Sequence, residues 1–216
     1  MRYGLIGYSG RMGREIEAAF AGAGHELVLR VDGSGEECSA RPEVIVDFSA
    51  PDALPTTLRL CAEHNAALVM GSTGFSEADL SELRALGEER AVVHSSNFSV
   101  GINLLGMILE DYAGLFSKWE MEIVEVHHNQ KKDAPSGTAL MLMQAAGRDC
   151  PIHALRLGNV PGDHTVHYCL DDEVVSLSHH AVKRSIYAAG ACTAAEFARS
   201  APNGYYTFRD VLRLSK

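Results

Sequence analysis

Histidines, lysines and small residues are concentrated in one short segment, VHHNQKKDAPSGTA, which runs from residue 126 to 139. It contains the adjacent pairs His127–His128 and Lys131–Lys132. Histidine titrates near neutral pH and lysine carries an ammonium group, so these side chains can donate protons and bind anions. On a chain with a formal net charge of −9, the cluster predicts a local site for an anionic ligand, with a proton source beside it.

The second half of this segment, DAPSGTA, is typical of a helix entry. Asp133 favours a turn, Pro135 restricts the backbone, and Ser136 can cap the helix. The first N–H groups, those of Gly137 and Thr138, would then point out of the helix end and could bind a carboxylate or phosphate. A simple cap and solvated loop lysines are the alternatives, and the neighbouring histidines favour the binding site.

The histidine pair does not favour a metal site. If EIVEVHH is a strand, His127 and His128 point to opposite faces, so one ion is hard to chelate. We therefore predict no metal. We also assign no role to other histidines of the chain, namely His153, His164, His167 and His180.

A glycine loop, GLIGYSGRMGRE, follows the first predicted strand and opens the first predicted helix. Gly7, Gly10 and Gly13 allow a tight turn there, where backbone N–H groups and the helix dipole can meet a pyrophosphate. Asp32 ends the second strand, 19 residues after Gly13, where an acid can bind the ribose hydroxyls of the coenzyme. A turn aspartate before Gly33 is the alternative for Asp32.

Strand and helix patterns alternate through the first hundred residues, which predicts a parallel sheet with both faces covered. The loops GSTGF (71–75) and SSNFS (95–99) follow the fourth and fifth strands, at the sheet edge where ligands bind. Only eleven residues separate Asp32 from Val44, barely enough for a crossover and too few for a good helix.

The pattern changes after an apolar helix candidate at 101–116. Longer alternating segments such as WEMEIVEVHH and TVHYCLDD suit a mixed or antiparallel sheet, and RSIYAAGACTAAEFARSAP is helical again. We predict an α/β protein with a Rossmann-type dinucleotide-binding domain (1–99 and 184–216). An α+β domain with a mixed sheet (100–183) would bind substrate and form the oligomer.

Composition restricts the class of protein. No signal region and no apolar run of about 20 residues is present, so we expect a cytoplasmic protein without a membrane partner. The five cysteines have no CxxC spacing, which indicates reduced thiols. Because no Lys/Arg-rich stripe occurs, we expect no nucleic-acid partner.

The segment EIVEVHHNQKKDAPSGTA closely resembles the dihydrodipicolinate reductase (4-hydroxy-tetrahydrodipicolinate reductase) signature, usually ExHHxxKxDAPSGTA. The resemblance continues through VIVDFSAP, GSTGF, SSNFSVGIN and SHHAVKRSIYAAGA. It implies reduction of a cyclic imine dicarboxylate, 4-hydroxy-tetrahydrodipicolinate, by NADH or NADPH in the diaminopimelate route to lysine. It also implies a homotetramer joined through the sheet of the second domain.

The resemblance assigns roles to individual residues. His127 and Lys131 match the proton-transfer pair, and His128, Ser136, Gly137 and Thr138 match contacts to the substrate carboxylates. Arg184 matches an arginine near the interdomain hinge, and its role stays open. The implied coenzyme contacts are Gly7, Tyr8, Ser9, Gly10, Arg11, Met12, Asp32, Gly71, Ser72, Thr73, Ser95, Ser96, Asn97 and Phe98.

Three departures from the family pattern bear on the coenzyme. The loop at 33–43 is shorter than in longer relatives, Gly33 stands where some relatives carry an arginine for the 2′-phosphate, and the usual APNF reads SSNF. The alternatives are another two-domain nicotinamide dehydrogenase for amino acids or imines, a non-catalytic dinucleotide sensor, and a metal hydrolase.

Overall fold

The computed structural model describes residues 1–214. The chain divides into two units, one formed by Met1–Ser99 together with the chain from Ser185 onward, and the other by Val100–Arg184. Arg184 is thus the last residue of the second unit. The sequence pattern had placed it in the first unit, as the first residue of the segment 184–216. We describe each unit by itself.

The first unit is built on a seven-stranded sheet in the order β11-β6-β5-β4-β1-β2-β3. Neighbouring strands run parallel, apart from the antiparallel pair β2–β3. The strand order reverses between β1 and β4, as in doubly wound folds. The strands are β1 (Arg2–Ile6), β2 (Glu26–Asp32), β3 (Gly35–Cys38), β4 (Val44–Asp47), β5 (Ala67–Met70), β6 (Ala91–His94) and β11 (Gly204–Tyr206).

Helices cover both faces of this sheet and bury its apolar strands. One buried cluster joins the sheet to Ile16 and Phe20 of α1 and to Ala195 of α6. The other joins the opposite face to Leu60 of α2 and Leu83 of α3. The Rossmann-type arrangement predicted from the alternating pattern is confirmed. The helices of this unit are α1 (Arg11–Gly22), α2 (Leu54–His64), α3 (Glu77–Glu89), α6 (Ser185–Ser200) and α7 (Phe208–Leu214).

The short connection after β2 is a hairpin. Strand β3 pairs antiparallel with β2, with Asp32 opposite Gly35 and Leu29 opposite Cys38. A hairpin needs only a tight turn, whereas a parallel crossover needs a dozen or more residues. The expectation of a cramped crossover therefore missed a strand.

The second unit is a four-stranded mixed sheet in the order β10-β9-β7-β8, as the alternating pattern predicted. β7 runs parallel to β8 and antiparallel to β9. Helices α4 and α5 bury Ile102, Leu109 and Leu142 against strand residues such as Ile123 and Val166. The elements are α4 (Val100–Tyr112), β7 (Glu120–His127), α5 (Gly137–Ala145), β8 (Ile152–Arg156), β9 (Asp163–Leu170) and β10 (Glu173–His180). The candidate helix 101–116 is thus α4 followed by a 3₁₀ turn over Ala113–Phe116.

Within residues 1–214, none of the helices combines the length and the apolar character that a membrane span requires.

Candidate active site

The glycine loop lies between β1 and α1 and is tightly packed. Gly7 has a φ of 80°, a left-handed conformation that glycine adopts readily, and its N–H donates to the Val31 carbonyl at 2.8 Å. A Cβ on Gly13 would lie 2.3 Å from the Tyr8 carbonyl oxygen. Glycine at position 13 therefore lets the first turn of α1 contact the loop directly.

A cavity of about 660 Å³ opens beside this loop. Its wall includes Asp32 at the end of β2, as well as Ser49 and Asp52 after β4. Loop, strand ends and helix start thus enclose a space at the switch point of the sheet, where dinucleotides bind in this fold. Of the residues predicted to contact coenzyme, the cavity is lined by Gly7, Ser9, Gly10, Arg11, Met12 and Asp32.

Asp32 is an ionised carboxylate at the cavity wall. Its Oδ1 accepts from the Ser34 N–H at 2.8 Å and from the Ser34 hydroxyl at 2.6 Å. The bond from the Ser34 hydroxyl, with a weaker effect of the Ser9 hydroxyl, holds the pKa of Asp32 below its ordinary value. The hairpin turn thus orients the acid that sequence spacing placed near a ribose.

The other predicted coenzyme residues lie at the carboxyl ends of β5 and β6. Ser72 is buried and donates to Asp47 Oδ1 at 3.1 Å. The Ser95 hydroxyl donates to the Asn97 carbonyl at 2.8 Å. The ring of Phe98 is buried in the core, so its backbone is the part that could meet a ligand. Gly71, Thr73 and Ser96 lie on the same two loops, while Tyr8 lies in the glycine loop.

Asp47 was missed by the sequence reasoning, although it organises this edge. It is fully buried at the end of β4. Its Oδ1 accepts from the N–H and hydroxyl of Ser49, and its Oδ2 accepts from the Thr57 hydroxyl at 2.6 Å. One carboxylate therefore ties together the loops that follow β4 and β5.

The second unit brings His127 against a buried acid. In β7 the side chains of Met121, Ile123, Glu125 and His127 point inward, because alternate residues of a strand share a face. His127 is 7% exposed and Glu125 is fully buried. The two side chains form a short hydrogen bond between His127 Nδ1 and Glu125 Oε2.

Arg156, on the neighbouring strand β8, completes an ion pair with Glu125. Its two terminal nitrogens donate to Oε2 at 3.0 Å and to Oε1 at 2.9 Å. The N–H of Ser136, at the start of α5, donates to Oε1 at 3.0 Å. Burial opposes the charge, but the bonds from Arg156 and His127 outweigh it and hold the pKa of Glu125 below its ordinary value.

Lys131 and the start of α5 lie beside this buried group. Lys131 Nζ is 2.9 Å from Asp133 Oδ1. Burial raises the pKa of Asp133, but the ammonium group of Lys131 and, more weakly, the backbone N–H of Gly137 hold it below its ordinary value. Ser136 caps α5 as predicted, since its hydroxyl accepts from the Ala139 N–H at 3.2 Å. A carboxylate thus already sits between the ammonium group and the helix N-terminus.

The remaining residues of the motif differ in exposure. His128 follows the last residue of β7 and is partly buried, and Lys132 is exposed. Gly137 is exposed, whereas Thr138 is buried. The structure therefore brings His127, Lys131, Ser136 and Gly137 to one place and leaves Lys132 on the surface.

Comparison with known proteins decides the family. Residues 1–98 match the family described as "Dihydrodipicolinate reductase, N-terminus", and residues 101–212 match "Dihydrodipicolinate reductase, C-terminus". The chain belongs to this family. A 4-hydroxy-tetrahydrodipicolinate reductase of Thermosipho africanus is 43% identical over 213 residues, covering 99% of this chain and 98% of the relative. One of Clostridium novyi is 34% identical over 244 residues, covering 97% of each.

Solved structures confirm the fold. The structure described as "Dipicolinate bound Dihydrodipicolinate reductase from Paenisporosarcina sp. TG-14" superposes with a TM-score of 0.81 at 22% identity. It covers 97% of this chain and 98% of that one. An amine dehydrogenase from Mycobacterium smegmatis shares the fold more distantly, with a TM-score of 0.65 at 12% identity and coverage of 97% and 95%.

His164 is a further part of the site in this member of the dihydrodipicolinate reductase family, and the sequence pattern assigned no role to it. It lies on β9 opposite Glu125, and its ring meets that of His127 edge-on at 5.1 Å between centroids. Its Nε2 is 3.3 Å from the Ser136 hydroxyl. Burial, followed by the nearby charge of His127, lowers the pKa of His164 to about 3, so the ring stays neutral at physiological pH.

A metal ion is poorly matched to these residues. Glu125, His127 and His164 offer potential ligand atoms within 4.8 Å of one another. However, both Glu125 oxygens already accept from Arg156, whose cation would repel a divalent ion. A metal would have to displace the arginine before it could use the carboxylate.

Neutral His164 makes the stability of the second unit depend on pH. Its folded pKa of about 3 lies below the ordinary value of 6.5, so its stabilising contribution is complete above pH 6.5 and is lost as pH falls toward 3. We expect the unfolding free energy of wild type to fall between pH 7 and pH 5. The fall should be about 2 kcal/mol smaller in His164→Gln, because the variant lacks the imidazole.

The measurement is urea unfolding at several pH values. Val166→Ala, a buried truncation on the same strand, is the matched control, because it lowers stability without adding or removing a proton. Parallel stability curves for wild type and His164→Gln between pH 7 and pH 5 would contradict the assignment.

Proposed function

We propose that this chain uses NADH or NADPH to reduce the cyclic imine dicarboxylate 4-hydroxy-tetrahydrodipicolinate, which becomes dihydrodipicolinate on loss of water, to tetrahydrodipicolinate in the diaminopimelate route to lysine. Relatives with that activity in their names align over nearly the whole chain. The observation that carries the proposal is the Asp133 carboxylate, which pairs with Lys131 Nζ and whose negative charge is also favoured by the N–H of Gly137 at the start of α5. Those two groups form a carboxylate clamp that a substrate carboxylate can use in its place.

The chemistry explains the cluster of cations and imidazoles. Loss of water from the 4-hydroxy compound leaves a C=C bond conjugated with the ring C=N. Hydride addition to the far carbon of this system pushes an electron pair onto the ring nitrogen, which then needs a proton, and tautomerisation to the imine gives tetrahydrodipicolinate. We assign the delivery of this proton to His127 and Lys131. We assign the substrate carboxylates to the group formed by His128, Ser136, Gly137 and Thr138. Within this group the exposed Gly137 offers its backbone N–H, while the Ser136 hydroxyl caps the helix.

The first unit has the features that a dinucleotide requires. The close approach at Gly13 and the cavity beside Asp32 fit a pyrophosphate at the start of α1 and a ribose at the end of β2. We propose that the residues of the glycine loop, Gly7 to Met12, hold the pyrophosphate. Gly71, Ser72, Thr73, Ser95, Ser96, Asn97 and the Phe98 backbone would lie near the nicotinamide, which supplies the hydride when bound.

We expect the protein to bind both coenzymes. Asp32 favours NADH, because a carboxylate accepts from a ribose hydroxyl and repels a 2′-phosphate, yet the glycine-rich turn after it places no bulky group there. Asp32→Ser should weaken NADH binding by about tenfold relative to NADPH, a loss typical of a hydrogen bond to a charged group. Asp52→Ser, on the same cavity wall, is the control.

Calorimetric titration of each coenzyme measures this directly. Failure of either coenzyme to bind would contradict dual use. If wild type bound NADPH far more tightly than NADH, the role given to Asp32 would be wrong.

The activity itself is tested with freshly made product of dihydrodipicolinate synthase. We expect NADH or NADPH to be oxidised when this product is present and not when it is omitted or replaced by amino acids and simple imines. Oxidation driven by an amino acid or another imine would favour a different dehydrogenase. Coenzyme binding without turnover would favour a sensor.

We also propose a cytoplasmic homotetramer joined through the sheet of the second unit. On the face of that sheet away from α4 and α5, Leu155 is 39% exposed and Val174 is 63% exposed. Apolar side chains on an open sheet face are typical of an interface between subunits. Sedimentation at assay concentration should give the mass of four chains, and a monomeric mass would contradict this arrangement.

A further inference from the structure

The Glu125 carboxylate has its hydrogen-bonding capacity filled. A carboxylate oxygen has two lone pairs. Oε1 accepts from Arg156 and from the Ser136 N–H, and Oε2 accepts from Arg156 and faces His127 Nδ1. Three of these donors carry hydrogens at any ordinary pH. The fourth partner is His127 Nδ1, and whether it donates to Oε2 depends on the protonation of His127.

This geometry fixes which nitrogen of His127 carries a proton. Glu125 is ionised, so it can only accept hydrogen bonds. If Nδ1 lacked a hydrogen, its lone pair would face the lone pair of a buried carboxylate oxygen. Neutral His127 must therefore carry its proton on Nδ1. Nε2 then has a free lone pair, so it is the nitrogen that takes up a proton and, once protonated, can deliver it.

The same ion pair joins the other parts of the motif. Arg156 also donates to the Asp133 carbonyl at 2.5 Å, and Glu125 accepts from the Ser136 N–H. Strand β7, the loop that carries Lys131, and the start of α5 are thus fastened to one buried pair. Because Arg156 lies opposite His127 in the β7–β8 register, the sheet itself holds the guanidinium in place.

We propose that Glu125 and Arg156 are positioning residues: Arg156 holds the Glu125 carboxylate charged and oriented, and Glu125 directs the Nε2 atom of His127 to the substrate. This inference rests on the proposed function for its catalytic consequence, but the direction of the proton on His127 can be measured without substrate. Neither residue is assigned a direct contact with the reacting atoms.

The effect of Glu125 and Arg156 on the pKa of His127 distinguishes a positioning role from that of a purely structural ion pair. The groups that face His127 are Glu125 on its own strand, Arg156 on β8, His164 on β9 and Lys131 in the following loop. Burial lowers the pKa of His127, Glu125 raises it, and Lys131 and Arg156 lower it. Removing Glu125 should therefore lower the His127 pKa further, and removing Arg156 should raise it.

The test is nitrogen NMR of protein labelled with ¹⁵N-histidine, in which the His127 signals are assigned with His127→Asn. Wild type should show neutral His127 with its proton on Nδ1. In Glu125→Gln a substantial Nε2–H population should appear, because an amide can donate to Nδ1. The His127 pKa should move down in Glu125→Gln and up in Arg156→Met.

Kinetics provide the second readout. Glu125→Gln should lower kcat by about 10- to 100-fold, as expected for loss of a group that orients a functional histidine, with a smaller change in KM. Arg156→Lys, which keeps the charge, should recover part of the activity lost in Arg156→Met. Glu63→Gln is the matched control, since Glu63 forms an exposed ion pair with Arg59 at 2.8 Å on α2 of the first unit.

The wild-type spectrum alone can overturn the proposal, whether or not the variants fold: a neutral His127 protonated on Nε2 would be incompatible with it. A folded Glu125→Gln with unchanged tautomer and kcat would also overturn it. If wild type instead lacked activity while His127 showed the Nδ1–H form, the proposed function would fail and the positioning by Glu125 would stand.

Discussion

Lys131→Ala is expected to lower kcat by about 10²- to 10⁴-fold, the range for loss of general acid catalysis, while coenzyme binding is retained. Lys131 is 23% exposed, and its ammonium group pairs with Asp133 next to the N-terminus of α5. Its charge is therefore held where a substrate carboxylate and a proton acceptor would meet. Steady-state kinetics with the synthase product measure the effect.

Lys132 provides the matched control for this experiment. It is the adjacent residue with the same chemistry, but its side chain is exposed. Lys132→Ala should retain kcat and KM within a factor of about two, because solvated surface charges contribute little. Saturating NADH should still raise the melting temperature of both variants, since ligand binding stabilises the folded state. A folded Lys131→Ala protein with parental kinetics would defeat the assignment.

His127→Ala is expected to reduce kcat by about 10²- to 10⁴-fold as well, because it removes the buried imidazole from the proposed proton-transfer pair. His128→Ala should act mainly through a raised KM, since we assign His128 to holding a carboxylate. The two residues are adjacent but differ in environment, because His127 is the last residue of β7 and bonds Glu125, whereas His128 lies beyond the strand.

The contrast between the two histidines is measured by full kinetic analysis of each variant at a fixed coenzyme concentration. Far-UV circular dichroism and the NADH-dependent rise in melting temperature establish that each variant is folded. If His128→Ala had a lower kcat and His127→Ala had only a higher KM, the two roles would have to be exchanged. Equal and small effects of both changes would remove the histidine pair from catalysis.

Much of this site was accessible from the sequence because its parts are local. The glycine loop and the DAPSGTA helix entry each depend on residues within one or two turns of chain, and Ser136 caps α5 where the pattern placed it. The hairpin after β2 was missed, since a short glycine-rich segment does not show whether it turns back or crosses the sheet.

The buried network depends on strand register, which the sequence does not state. Arg156 is opposite His127 on β8, and His164 is opposite Glu125 on β9, at separations of about 30 to 40 residues along the chain. One signal was available. Glu120 and Glu122 share the exposed phase of β7, whereas Glu125 falls in phase with Met121 and Ile123. An acid on the inward face of a strand requires a buried partner, and that requirement predicts a cation or histidine nearby.

The most direct test of the proposed activity follows hydrogen from the coenzyme to the substrate. NADH deuterated at both C4 positions would be incubated with the protein and freshly made synthase product, and the tetrahydrodipicolinate formed would be analysed by mass spectrometry. We predict one deuterium on a ring carbon of every product molecule, with one NADH oxidised for each. Consumption of the coenzyme without deuterium in the product, or absence of the product, would contradict hydride transfer by this chain.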